Sequence, residues 1–107
     1  MSRDLPESDR KLFRELREVA LERLCKRVLD EVQPRLADSS RTYYERYIDI
    51  FRLLKERDRD VARGFDDPRR SHMIQQLAAI HRLGLLEPEE LARFTPRTRD
   101  TVEGLAQ

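Results

Sequence analysis

Between Pro6 and Pro34 the chain contains neither glycine nor proline, and this uninterrupted run constrains the fold more than any other feature. Glycine and proline are the residues that interrupt helices, whereas the Leu, Glu, Arg and Ala that fill the run favour them. The run therefore predicts one helix over residues 6–33. Asp4 is the expected N-cap, Pro6 the first helical residue, and Glu7 stands at capping-box distance from Asp4. At a rise of ~1.5 Å per residue such a helix is about 42 Å long.

Its apolar ladder is Leu12, Leu16, Ala20, Leu24, Val28 and Val32, with Leu36 beyond the proline. The step is always four. Each step rotates the stripe by about 40°, so the apolar face winds around the rod and its two halves must meet different neighbours. A simple coiled coil would hold a period of ~3.5 residues instead.

The remaining elements follow from caps and breakers. A turn over Pro34–Ser40 leads to a second helix over about 41–63, with Thr42 and Glu45 at capping-box spacing and Gly64 as its C-terminal stop. Its expected core face is Tyr44, Tyr47, Ile48, Phe51, Leu54, Val61, Ala62 and Phe65. Asp67-Pro68 predicts the start of a third helix over about 68–83, ending at Gly84. Glu87-Pro88 and Thr95-Pro96 open one or two short C-terminal helices. No strand-like alternation or internal repeat occurs. The expected fold is all-α: a small bundle with two long antiparallel helices, in one domain over 1–107 with disordered termini at 1–5 and 106–107.

Composition narrows the function classes. The net charge is only +1 although 40% of residues are charged, and the charges alternate in sign along the chain. That balance argues against a nucleic-acid tail or a membrane patch. Arginine outnumbers lysine 19 to 3, which reads as the coding bias of a GC-rich, bacterial genome. A lone cysteine and no apolar leader fit a cytoplasmic protein, and no apolar stretch approaches the ~20 residues of a membrane span.

Chemistry-bearing motifs are sparse. Cys25, His72 and His81 lack metal-ligand spacing, no Gly-x-Ser-x-Gly elbow occurs, and no cofactor is expected. Cys25 is expected to be a small buried hydrophobe beside Leu21, Val28 and Leu29. Residues 77–94 have the outline of a helix-turn-helix. Glu87, Glu89 and Glu90 in its second helix would repel phosphates, so it reads as a corner that closes the core.

Three features remain. Asp58 falls in the middle of the apolar arc of the second helix, where a carboxylate either leaves the core or must be paired. With Tyr44 and Tyr47 it is a candidate polar anchor at a partner surface or a small pocket. Arg52, Lys55, Arg59 and Arg63 form a basic stripe, continued by Arg69 and Arg70, that could contact phosphates, although acids interrupt it.

Two helices of 36–42 Å overshoot the roughly 33 Å diameter of a compact chain this long. Either the first helix breaks, or some apolar face lacks an internal cover. A second copy is the most economical cover, because two-fold homodimers are the commonest oligomers. The expectation is a non-enzymatic helical protein–protein interaction module, homodimeric or bound to another protein. Nucleic-acid association through the basic stripe, and a ligand binder or enzyme around Asp58, are the alternatives.

Overall fold

The computed structural model describes residues 5–65 and 72–106. These residues form five helices: α1 (Glu7–Ala37), α2 (Tyr43–Phe65), α3 (Met73–Arg82), α4 (Pro88–Leu91) and α5 (Pro96–Ala106). The bundle is all-α, and the two long helices pack against each other.

α1 is a single rod, and it does not stop at residue 33. It runs through Pro34 to Ala37. A proline here removes the donor to the Asp30 carbonyl, and so close to the C-terminal end that loss disturbs only the last turn. Here the guanidinium of Arg35 also donates to the Glu31 carbonyl at 2.7 Å, reinforcing the final turn. At the other end Pro6 itself is the N-cap residue, and Asp4 lies outside the described residues. Leu5 is buried in the core, which corrects the expectation of disorder at that position.

The turn into α2 is built from short local bonds. Ser40 donates its N–H and hydroxyl to the Asp38 carboxylate, at 3.1 and 2.5 Å. Thr42 and Glu45 close the expected capping box reciprocally at 2.9 and 3.0 Å. These bonds hold both the Asp38 and Glu45 carboxyls below their ordinary values. α2 continues past Gly64 to Phe65, because Gly64 is a packing position and not a stop: a Cβ there would lie 3.2 Å from Ile80 of α3. The Asp67-Pro68 start signal and Arg69 and Arg70 lie outside the described residues, and the described part of α3 begins at Met73.

The core sits at one end of the molecule. Leu12, Phe13, Leu16, Ala20 and Leu24 of α1 pack with Phe65 and with Met73, Ile74, Leu77, Ile80, Leu85, Leu91, Phe94 and Val102 of the α3–α5 lobe. Arginines of α1 clamp this lobe by its carbonyls. Arg23 donates to Leu85 O at 2.8 Å and forms a two-pronged pair with Glu90 at 2.6 and 3.0 Å. Arg27 reaches Leu83 O at 2.7 Å. The left-handed Gly84 (φ 72°) between those carbonyls is the turn that the sequence marked.

The rest of α1 and α2 projects as a hairpin. The molecule measures 55 × 24 × 23 Å, with a radius of gyration of 16.7 Å, against about 13 Å for a compact chain of this length.

Candidate functional site

The winding ladder decides what the hairpin exposes. Leu12 to Val28 is buried, Val32 is half-buried, and Leu36 is 61% exposed. The stripe leaves the lobe, crosses α2 and then emerges into solvent at the tip.

On α2 the contact with α1 is made by an unexpected face. Arg57 pairs with Glu31 at 3.0 Å, Asp49 with Arg35 at 3.3 Å, and Arg46 donates to Leu36 O at 2.8 Å. Leu53 is the only buried apolar side chain of α2 between positions 43 and 63. At about 100° per residue, positions 46, 49, 53 and 57 lie about 120° from the apolar arc of Tyr47, Phe51, Leu54 and Asp58. That arc is therefore not the core face. Tyr44, Tyr47, Phe51 and Leu54 are 71, 65, 54 and 45% exposed. Of the expected core face, only Phe65 is buried and Ile48 and Val61 half-buried.

The two uncovered stripes lie side by side. Leu24, Cys25, Val28 and Leu29 of α1 and Phe51, Leu54 and Val61 of α2 line an open apolar groove of about 750 Å³, with Lys55, Arg57 and Asp58 also in its lining. Cys25 is exposed in this groove and is not the buried hydrophobe expected, because α2 packs one arc away from it. On α1 the exposed groove residues Cys25 and Leu29, and Leu36 beyond the groove towards the tip, lie nearly opposite Arg23 and Arg27, which hold the lobe. The lobe therefore cannot cover the groove.

Comparison with known families, curated proteins and solved structures returns no match. The surface must be read from its own chemistry.

Asp58 stands exposed on the groove rim with no counter-ion among the described residues. This removes the buried carboxylate on which a catalytic reading depended. Arg52, Lys55, Arg59 and Arg63 are all exposed, and none is paired with an acid among the described residues. Tyr43 is stacked by Arg46, 4.7 Å from its ring centre, whereas Tyr44 and Tyr47 point from the apolar arc. Among the described residues no group of three side chains could hold a metal, and no helix is long and apolar enough to cross a membrane.

One buried polar cluster escaped the sequence reading. Asp9 is 2% exposed and accepts hydrogen bonds from Thr95 N at 3.2 Å, Thr95 Oγ1 at 2.7 Å and Thr98 Oγ1 at 2.6 Å. It caps the start of α5 from α1, a carboxylate at a helix N-terminus. Every bond is to this chain, so the cluster is a structural latch.

Proposed function

We propose that this protein is a helical interaction module that associates with a second copy of itself through the apolar face of the α1–α2 hairpin. One observation carries the reading. Leu29, Leu36, Tyr44, Tyr47, Phe51 and Leu54 are 61, 61, 71, 65, 54 and 45% exposed, and large apolar side chains left uncovered together along a hairpin mark an association surface.

Two features favour a second copy as the cover. A two-helix layer with one apolar face supplies half of a four-helix bundle, so an identical layer completes it. A two-fold pair uses the same surface twice, and this surface is uncovered along both helices.

Sedimentation equilibrium tests the reading through Phe51→Arg. The unaltered chain should sediment as a concentration-dependent dimer and the variant as a monomer with unchanged helix content. A unaltered chain that stays monomeric at high micromolar concentration overturns the reading.

A second reading has its own support, the four exposed cations Arg52, Lys55, Arg59 and Arg63 on α2, none paired with an acid among the described residues. Phosphate contacts by this ridge would give nucleic-acid binding that weakens steeply with salt. Absence of binding to mixed-sequence duplex and single strands at ~50 mM salt removes it.

A further inference from the structure

Self-association leaves open how the second copy is oriented, and the rim charges of the groove select one arrangement. Two two-fold arrangements bring the apolar faces together. In one the hairpins point the same way and α1 of each copy lies along α2 of the other. In the other they point oppositely, and each helix lies along its own equivalent.

The pairings within one copy fix which levels of the two helices stand side by side. Glu31 stands beside Arg57 and Leu36 beside Arg46, and residues 24–29 share the groove with residues 51–61. Lys26 is thus level with Asp58. Neither faces the other within a copy, because each points away from its neighbouring helix on the outer rim. Both are exposed. The bond from Lys26 Nζ to Asp30 at 2.7 Å joins two side chains that are 76 and 61% exposed, so it exchanges readily.

We infer that the second copy docks with its hairpin pointing the same way, so that Lys26 of each copy faces the partner's Asp58 and Leu29 and Leu36 meet the partner's Leu54 and Tyr47. This rests on the self-association reading. Symmetry about an axis along the hairpin keeps every residue at its own level. A single docking then matches three levels: the charges at 26 and 58, the groove side chains at 29 and 54, and the tip side chains at 36 and 47. With the hairpins opposed, levels are exchanged, and placing the groove over itself carries Tyr44 and Tyr47 past the end of the partner's apolar arc. The inference also gives Asp58 a role, since an acid in the middle of an apolar arc is then one half of an intermolecular pair at the rim.

Mixed disulfide trapping tests the arrangement. In a Cys25→Ser background, Lys26→Cys and Asp58→Cys proteins are mixed under mild oxidation, and the mass of each sample is measured in parallel. A mixed disulfide dimer, formed in preference to either self-linked product, is expected. A dimer by mass that yields no mixed product overturns the arrangement and leaves self-association standing. A monomer by mass, including for the unaltered chain, overturns self-association itself. Charge reversal adds a second readout. Asp58→Lys should weaken the dimer about tenfold, since the pair occurs twice, and adding Lys26→Asp should restore it. Failure of the restoration counts against the pair.

Discussion

At the scale of single residues, Asp9 and Arg23 fasten the lobe to α1. Replacing Asp9 with Ala strands the Thr95 and Thr98 groups that donate to it, and should lower stability in urea by about 1–3 kcal/mol. Glu90 offers a pH test. The hydrogen bonds from Arg23 hold its carboxyl below the ordinary glutamate value of 4.5. A depressed folded value means that the unfolded chain takes up the proton first. Stabilisation by this pair is complete above the unfolded value and disappears as pH falls through the depressed folded value. Both partners reach solvent, so the pair is worth no more than about 1 kcal/mol. Glu90→Gln should therefore lose stability near neutrality and show a smaller further loss on acidification, measured by urea unfolding at both pH values. Asp9 was illegible in the sequence for a definite reason. It reads as one more acid in a first helical turn, and its partners lie 86 and 89 residues away, beyond any local spacing rule.

Elements were more legible than their neighbours. The run without breakers gave α1, the capping box at Thr42 and Glu45 placed the start of α2, and Glu87-Pro88 placed that of α4, where Glu87 and Glu90 also cap reciprocally. Pro34 misled because its identity argues for a stop, whereas the helix runs on through it to Ala37 despite the missing donor. Pro34→Ala should accordingly raise the thermal midpoint, by an amount equivalent to roughly 1 kcal/mol or more. Gly84 is the reverse case. A Cβ would find open space there, so the roughly 1 kcal/mol loss expected for Gly84→Ala comes from the left-handed backbone alone. The arc of α2 was legible as an apolar stripe but not as an uncovered one. Periodicity reports that a face is apolar and is silent on which chain covers it. Only the pairs at Arg46, Asp49 and Arg57 reveal that α1 lies elsewhere.

For the whole molecule, the relation between helix length and chain length carries the functional reading. A lobe built from residues 73–106 is large enough to bury the first half of α1 and the end of α2, and no more. The remaining hairpin supplies the 55 Å dimension and the exposed Leu29, Leu36, Tyr44, Tyr47, Phe51 and Leu54. The sequence already showed that two rods of this size outrun their chain, because that follows from rise per residue alone. It could not show which stripes stay uncovered, because that depends on the rotation of α2 about its own axis. The most direct test is the molar mass in solution by light scattering, followed from low to high micromolar concentration. Self-association through the hairpin calls for a mass that climbs towards twice 12.8 kDa. A mass held at 12.8 kDa across the whole range contradicts it.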